Sequence, residues 1–150
     1  MKVSIANDHR GTALKKKIME RFKTVEFQNE GIDSDDSVDY PDYAARVAGK
    51  VSTGQCERGI LICGTGIGMS ISANKFPGVR AAMVWEPAVA RLTRQHNDSN
   101  VLCLAGDFLK ADEAFKIVDM WLKTPFEGGR HARRLEKIRQ QEAARWVKKQ

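Results

Sequence analysis

The chain has 150 residues, of which 42% are apolar and 29% charged, a composition typical of one soluble globular domain rather than a disordered or fibrous chain. The net charge is +6, and the whole excess lies in residues 123–150, with nine basic and three acidic side chains, since residues 1–122 carry 16 of each. The three cysteines lack CxxC spacing and no apolar run approaches the roughly 18–20 residues of a membrane span, which argues against a zinc ribbon, a disulfide framework or a membrane protein. We therefore expect a cytoplasmic protein without a targeting segment.

Short β-rich runs alternate with longer segments of helical period, the pattern of βαβ units. The predicted strands are Val3–Ala6, Val25–Asn29, Gly59–Cys63, Arg80–Val84 and Val101–Leu104. The predicted helices are Thr12–Phe22, Tyr43–Val51, Gly68–Asn74, Pro87–Gln95 and Asp112–Leu122. The fold class is therefore α/β, a three-layer α/β/α sandwich around a five-stranded parallel Rossmann-like sheet whose strand order stays open. Ligands are expected at the carboxyl ends of the strands.

A further helix is predicted after the glycine pair that precedes Arg130. Its apolar residues fall on one side, at Ala132, Leu135, Ile138 and Trp146. Because this helix stands outside the five βα units, it could cover its own domain or reach a second subunit. We treat residues 1–150 as a single domain in which residues 125–150 form a basic helical extension that packs on a partner subunit.

The most informative stretch is the strand Gly59–Cys63 followed by the glycine-rich turn Gly64–Gly68. Glycines at alternate positions allow several backbone amides to converge on one anion. The spacing excludes three familiar motifs: a dinucleotide fingerprint needs glycine where Met69 stands, a P-loop needs a following Lys-Ser/Thr, and a hydrolase elbow needs serine between the glycines. The turn is therefore predicted to be an oxyanion or phosphate cradle, with a plain structural turn as the alternative.

Cys63 lies at the carboxyl end of this strand, immediately before the cradle. Oriented amides and the start of the following helix favour the thiolate form of such a cysteine. The residues leave open whether the thiolate would act as a nucleophile or as a base. Cys56 and Cys103, by contrast, are predicted to be inert small hydrophobes.

Polar residues also flank two other predicted strands. The segment Asn7-Asp8-His9 follows the first strand, and Arg94-Gln95-His96-Asn97-Asp98 precedes the fifth. His9 and His96 lie in predicted loops beside Asp and Asn side chains, which favours a role in a site over a solvated or core position.

The basic tail carries the third histidine, His131. Arg130 and Arg134 lie four residues apart on one helix face, where two guanidinium groups could clamp a phosphate. The tail could alternatively bind nucleic acid or a membrane surface, or form a solvated helix face.

Together these motifs resemble ribose-5-phosphate isomerase type B and its relatives, the galactose-6-phosphate and allose-6-phosphate isomerases. The resemblance extends over nearly the whole chain. It rests on Asn7-Asp8-His9, Asp39-Tyr40-Pro41-Asp42-Tyr43-Ala44, Gly59–Gly68, Ala73-Asn74-Lys75-Phe76, Arg94-Gln95-His96-Asn97-Asp98 and Glu127-Gly128-Gly129-Arg130-His131.

The resemblance implies an aldose–ketose isomerisation of a sugar phosphate through an enediolate, without metal or organic cofactor. The implied catalytic residues are Cys63 as base, Thr65 on the oxyanion, Asp8 as proton relay and His96 for opening the furanose ring. The implied binding residues are Gly64, Gly66, Ile67, Gly68 and Asn97 around the oxyanion, Tyr43 lining the pocket, and His9, Arg130, His131 and Arg134 on the phosphate. These sites would lie at the interface of a homodimer or homotetramer, with no nucleic acid or membrane partner.

The substrate expected from the resemblance is ribose 5-phosphate, converted to ribulose 5-phosphate. Another sugar phosphate of four to six carbons is the alternative within the same class. A non-catalytic binder of phosphosugars or nucleic acid is the alternative from a different class, and it would predict damage to the proton-transfer residues, which are all present.

One position departs from the family pattern. Asp107 stands where the family usually has an arginine that contacts the phosphate. We expect either that the Asp107 carboxylate faces solvent or that it accepts a sugar hydroxyl in a pocket with altered substrate choice.

Overall fold

The computed structural model of the protein describes residues 1–147, with side chains described through residue 144. The strands are β1 (Lys2–Asn7), β2 (Glu26–Asn29), β3 (Arg58–Cys63), β4 (Ala81–Met83) and β5 (Val101–Ala105). The helices are α1 (Thr12–Arg21), α2 (Tyr40–Ser52), α3 (Ile67–Ala73), α4 (Pro87–Asn97), α5 (Ala111–Lys123) and α6 (Arg130–Val147). Within this part of the chain no helix is both long and apolar enough to cross a bilayer.

The five strands form one parallel sheet in the order β2-β1-β3-β5-β4, which confirms the predicted α/β fold. Successive side chains of β3 point to opposite faces of the sheet. Ile60 and Ile62 pack in the core that includes residues of α1, α4 and α5, whereas Leu61 and Cys63 pack in the core that includes residues of α2 and α3. Helices therefore cover both faces, which explains why the central strands are apolar without alternation.

The strand order places a topological switch point between β1 and β3. The chain after β1 leads to α1 on one face of the sheet, and the chain after β3 leads to α3 on the other face. The loops that leave β1 and β3 therefore diverge and open a crevice between the two strand ends. In open α/β sheets such a crevice is where ligands bind.

Two helix boundaries differ from the sequence prediction by more than one residue. Helix α2 begins at Tyr40 rather than Tyr43, because Pro41 fits a first helical turn, where its missing N–H leaves no hydrogen bond unmade. Helix α4 continues to Asn97, two residues beyond the prediction, and ends where Asp98 takes a left-handed φ of 45°. His96 and Asn97 therefore lie in the last turn of a helix and not in a loop.

The C-terminal helix packs on its own domain through a narrower face than predicted. Leu135 and His131 are buried, but Ala132 is exposed and Ile138 is 49% exposed. The side chain of Trp146, the fourth residue of the predicted apolar face, lies outside the described residues. Two of the three described residues of the predicted apolar face are therefore open within a single chain.

Trp121 anchors the sheet face against which α5 packs. Its ring is fully buried, its Nε1–H donates to Ser99 Oγ at 2.8 Å, and its carbonyl accepts from Arg58 Nη1 at 2.7 Å. We expect Trp121→Ala to lower the free energy of unfolding by about 3–5 kcal/mol because it leaves a large cavity. Trp121→Phe should lower it less, by about 1–3 kcal/mol, since it mainly leaves the buried Ser99 hydroxyl without the hydrogen bond from Nε1–H. Urea denaturation measures both losses. Equal losses would contradict the contribution assigned to the cavity, and no loss in Trp121→Phe would contradict the contribution assigned to the hydrogen bond.

Candidate active site

The turn after β3 brings backbone amides to the Cys63 thiol. Cys63 is 5% exposed, and the Gly66 N–H donates to its Sγ at 3.2 Å. The Ile67 N–H donates to Thr65 Oγ1 at 3.3 Å, while the Thr65 side chain itself is exposed. The turn therefore has the geometry of the predicted cradle, with the Cys63 sulfur at its base.

Gly66 is required by this geometry. Its φ of 76° lies in the left-handed region, which side chains rarely adopt. A Cβ at this position would also lie 3.1 Å from the Leu104 carbonyl carbon and 3.1 Å from Met83 Cγ. The turn can therefore bring the Gly66 amide to Cys63 only because both the conformation and the space allow it.

Asp8 lies across the crevice from the cradle, directly after β1. Its backbone N–H donates to the Ile62 carbonyl at 3.1 Å, one residue before Cys63. The Asp8 carboxylate is buried and accepts the Arg10 backbone N–H at Oδ1, at 2.9 Å. The structure thus places the predicted proton relay and the predicted base on adjacent strand ends.

His9 is oriented by the acidic loop that follows β2. The Val38 N–H donates to His9 Nδ1 at 3.3 Å. The loop is in turn attached to α1 through the buried Lys15, whose ammonium group donates to the Ile32 carbonyl and to Asp33 Oδ1, each at 2.7 Å. The hydrogen bond from Lys15 lowers the pKa of the Asp33 carboxyl. The loop therefore holds His9 at the edge of the crevice.

Two tyrosines of α2 lie on the face of the sheet that α2 and α3 cover, the face to which the Cys63 side chain points. Tyr43, predicted from the sequence, is half-buried beneath the guanidinium of Arg46, whose carbon lies 4.7 Å from the ring centre. Tyr40 packs directly on the cradle, since a Cβ on Gly68 would lie 2.7 Å from its ring. Tyr40 was not predicted as a site residue, although it stands in the same motif as Tyr43.

The other predicted site residues form a second cluster, in which α4 and α6 meet. The rings of His96 and His131 stack with centroids 4.2 Å apart and planes inclined by 11°. Asn97, Arg130 and Arg134 are exposed beside this pair. The two arginines form no ion pair within the described residues.

Glu127 lies close to the two histidines, so the three side chains together offer nitrogen and oxygen atoms of metal-ligating type. A metal ion lies in the plane of each imidazole that binds it, because the nitrogen lone pair lies in that plane. The stacked rings of His96 and His131 have nearly parallel planes, which do not meet at one ion. This geometry suits two stacked imidazole rings rather than a metal centre.

Burial is the main cause that lowers the pKa of the His131 imidazole below its ordinary value. The charges of His96, Arg130 and Arg134 lower this pKa further, whereas Glu127 opposes them. Nε2 of His131 lies 3.6 Å from Glu127 Oε2, too far for a hydrogen bond, and has no hydrogen-bond partner within the described residues. The neutral form of His131 is therefore favoured in the folded chain.

This pKa shift predicts a pH dependence of stability. In the unfolded chain His131 takes up its proton near its ordinary pKa of about 6.5, before the folded chain does. Its contribution to the free energy of unfolding should be fully present above that pH and decrease as the pH falls toward the folded pKa. Urea denaturation at several pH values should show a smaller decrease for His131→Gln than for the unmodified protein. Parallel decreases would contradict the assignment.

Within one chain the two clusters lie at opposite ends of the strands, one at their carboxyl ends and the other near their amino ends. Cys63 pairs with Ala105 at the carboxyl end of β5, whereas His96 lies in the chain that leads to the amino end of β5. The Asn100 carbonyl accepts from the Gly59 N–H at 2.8 Å, which places this segment beside the first residues of β3. From Gly59 to Cys63 the strand rises roughly 13 Å. A single chain therefore does not bring His96 to Cys63.

The two remaining cysteines have the environment expected of inert side chains. Cys56 and Cys103 are buried, and burial raises the pKa of both thiols. Cys103 lies wholly within the core, while Cys56 Sγ lies 3.3 Å from Gln28 Oε1. Cys63 differs from both because it borders the crevice and has the Gly66 amide as a donor.

A groove of about 700 Å³ lies between α6 and the sheet, and Arg80, Asn97, Leu135 and Glu142 are among the residues that line it. Of the predicted site residues only Asn97 borders it. The groove is therefore separate from the crevice at Cys63.

A second residue at the crevice, besides Tyr40, was not predicted from the sequence. Arg10 forms an ion pair with Asp107, the residue that departs from the family pattern. The signal that could have found it is the unexpected carboxylate, since an acidic side chain beside an anion cradle needs a nearby cation. Arg10, in the predicted loop after β1, was an available partner.

The fold and the site together define an α/β protein that combines a cysteine thiol with an anion cradle at a topological switch point. Comparison with known proteins agrees with this description. The chain matches the ribose/galactose isomerase family over residues 3–138. It is 46% identical over 139 residues to ribose-5-phosphate isomerase B of Escherichia coli (strain K12), covering 91% of this chain and 93% of that protein. It is 48% identical over 141 residues to a putative sugar phosphate isomerase of Bacillus subtilis (strain 168), covering 92% and 95%.

Solved structures give the same result. The chain superposes on ribose-5-phosphate isomerase B of Clostridium thermocellum with a TM-score of 0.94 and 47% identity, covering 96% of this chain and 99% of that one. It superposes on the Mycoplasma genitalium enzyme with bound ribulose-5-phosphate with a TM-score of 0.92 and 47% identity, covering 95% and 96%. The chain belongs to the ribose/galactose isomerase family and is an aldose–ketose isomerase of sugar phosphates.

Proposed function

We propose that the protein interconverts ribose 5-phosphate and ribulose 5-phosphate through an enediolate, with Cys63 as the base. The observation that carries the proposal is the Cys63 thiol at the switch-point crevice, with the Gly66 amide donating to its sulfur at 3.2 Å. The relatives named as ribose-5-phosphate isomerase B, and the one solved with ribulose-5-phosphate, support this choice of substrate.

The isomerisation moves one proton between neighbouring carbons. The Cys63 thiolate removes the proton from C2 of the open-chain aldose, and the electrons of that C–H bond form the enediolate. The same thiol then returns a proton to C1. Asp8 moves the hydroxyl proton from the oxygen on C2 to the oxygen on C1, so that the carbonyl group is transferred to C2. A positioned acid or base of this kind contributes about 10²–10⁴-fold to a rate.

The cradle has the right position to stabilise the enediolate oxygens. Thr65 and the amides of Gly64–Gly68 surround the space in front of Cys63. Donors that are already oriented where negative charge develops stabilise a transition state by a few kcal/mol each, since they need no reorganisation during the reaction. Asn97 adds a side-chain amide to this set once the second cluster is brought to the crevice.

A second subunit would complete the site. The crevice residues Asp8, His9, Tyr43 and Cys63 would come from one chain, and His96, Asn97, Arg130, His131 and Arg134 from its partner. Two features support this arrangement. The first is that the two clusters lie at opposite ends of the strands in one chain. The second is that Ile67 and Ile71, beside the cradle, are 50% and 58% exposed. An apolar surface next to the thiol is typical of a face that a second copy covers.

Within the completed site, the second cluster binds the phosphate and opens the sugar ring. Arg130 and Arg134 bind the phosphate, and their lack of partners within the described residues leaves both guanidinium groups available for it. His96 opens the furanose ring by moving a proton between the ring oxygen and the anomeric hydroxyl. Its stacking on His131 keeps the imidazole plane in a fixed orientation.

The experiment that tests the proposal is a panel of four- to six-carbon sugar phosphates incubated with the protein in deuterated water. Ribose 5-phosphate should be converted to ribulose 5-phosphate with deuterium at C1, and it should give the highest kcat/KM of the panel. Faster conversion of a six-carbon substrate would overturn the substrate assignment but not the reaction. Phosphosugar binding without conversion or deuterium exchange would show a non-catalytic binder.

A further inference from the structure

Arg10 and Asp107 join the loops that follow β1 and β5 across the end of β3. Arg10 Nε donates to both carboxylate oxygens of Asp107 at 3.0 Å, and Nη2 donates to Oδ2 at 2.6 Å. The pairing is side-on, so it uses the Nε edge of the guanidinium. Hydrogen bonds from two nitrogens to one carboxylate fix the plane of the guanidinium as well as its position.

The ion pair lies immediately beside the cradle. The Asp107 N–H donates to the Gly64 carbonyl at 3.1 Å, and a Cβ on Gly64 would lie 2.7 Å from Asp107 Oδ2. A Cβ on Gly106 would lie 2.8 Å from the Arg10 carbonyl oxygen and 3.3 Å from that of Cys63. The two glycines thus allow both loops to close over the strand end that carries the thiol.

The guanidinium keeps part of its hydrogen-bonding capacity. The Arg10 side chain is 56% exposed and that of Asp107 is 31% exposed. Within the described residues, Nη1 of Arg10 has no hydrogen-bond partner. The hydrogen bond to Asp107 raises the pKa of Arg10, so the cation persists at every physiological pH. The open edge of a fixed guanidinium suits a phosphate oxygen.

The same contacts decide between the two expectations for Asp107. Its carboxylate does not simply face solvent, because both oxygens accept from Arg10. A sugar hydroxyl would have to share these oxygens with the guanidinium. The carboxylate instead holds a cation at the crevice, next to His9.

We propose that Arg10 binds the phosphate of the substrate and that Asp107 is the positioning residue that holds its guanidinium in place. The inference rests on the proposed isomerase function. It assigns the cation that the family usually places at position 107 to the neighbouring loop of this chain. Arg10 and His9 would bind the phosphate from one subunit, opposite Arg130 and Arg134 of the other.

Kinetics of Arg10→Ala test the proposal. Phosphate is bound equally in the ground and transition states, so we expect KM for ribose 5-phosphate to rise about tenfold and kcat to stay within about twofold. The inhibition constant of inorganic phosphate should rise in parallel. Lys17→Ala, an exposed cation of α1, is the matched control and should change neither constant.

Asp107→Asn separates positioning from repulsion. If Asp107 positions Arg10, the variant should raise KM and the phosphate inhibition constant, by less than Arg10→Ala does. If Asp107 only repels the phosphate, both constants should fall, which would overturn its positioning role. In the double variant Arg10→Ala/Asp107→Arg, the new cation beside Gly64 should recover part of the phosphate affinity. A urea denaturation curve for each variant shows whether the loops remain folded.

The failure of this inference can be distinguished from failure of the proposed function. Binding of inorganic phosphate is also measured directly by ³¹P NMR, without any turnover. If no sugar phosphate is converted but Arg10→Ala weakens phosphate binding, only the proposed reaction fails. If isomerisation is present but Arg10→Ala leaves KM and phosphate binding unchanged, the role of Arg10 is overturned alone.

Discussion

Replacement of Cys63 by alanine is expected to lower kcat for the isomerisation by about 10²–10⁴-fold, the range that a positioned general base contributes. The physical reason is that no other ionisable group in the described structure has the position of this sulfur, beneath the Gly66 amide at the end of β3. Binding should persist, because the alanine removes one small side chain and leaves the amides of the cradle in place. Calorimetric titration with ribulose 5-phosphate measures that binding, and the deuterium-exchange assay measures the chemical step.

Matched controls come from the two other thiols. Cys56→Ala and Cys103→Ala remove a sulfur of the same size at buried positions that do not border the crevice. Both variants should keep kcat, although Cys103→Ala should lower the free energy of unfolding by about 1 kcal/mol through a small cavity. If Cys63→Ala retains turnover comparable to these controls, the thiol is not the base.

Mixing two inactive variants should restore activity if the site is shared between subunits. In a dimer of one Cys63→Ala chain and one His96→Ala chain, one of the two sites carries both defects and the other carries none. Random pairing of equal amounts should then recover about a quarter of the unmodified activity, since half of the dimers are mixed and each has one intact site. The measurement is ribose 5-phosphate turnover after the two variants are unfolded together and refolded.

The control for this experiment combines two defects of the same cluster. Asp8 and Cys63 come from adjacent strand ends of one chain, so every site in a mixture of Cys63→Ala and Asp8→Ala chains carries at least one defect. This mixture should stay inactive. Recovery in both mixtures, or in neither despite demonstrated subunit exchange, would contradict the division of the site into two clusters from two chains.

Helix and strand signals in the sequence predicted the layers well because each is local. Gly59–Cys63 is a short, wholly apolar run followed by glycines, and it forms the central strand β3, beginning one residue earlier at Arg58. Helix ends were less certain. Nothing in the amphipathic pattern of α4 marks Asn97 as its last residue, because that end depends on the left-handed conformation of Asp98.

The candidate residues were found for reasons that differ in kind. Cys63 stands out from the residues alone, since a thiol directly before alternate glycines lies where amides converge. His96 and Arg134 were assigned roles through the resemblance to a family. Arg10 was missed, because its importance depends on a contact with Asp107 that is 97 positions away in the chain.

The sequence by itself determined the class of fold, the strand that carries the thiol and the glycine turn that surrounds it, because these depend on periodicity and on conformations that only glycine adopts easily. The tertiary structure alone decided the strand order, which places Asp8 beside Cys63 at a switch point. It also decided that His96 lies near the amino ends of the strands, away from Cys63, and that Arg10 pairs with Asp107. These are contacts between distant segments, and they depend on how helices and strands pack rather than on any local pattern of residues.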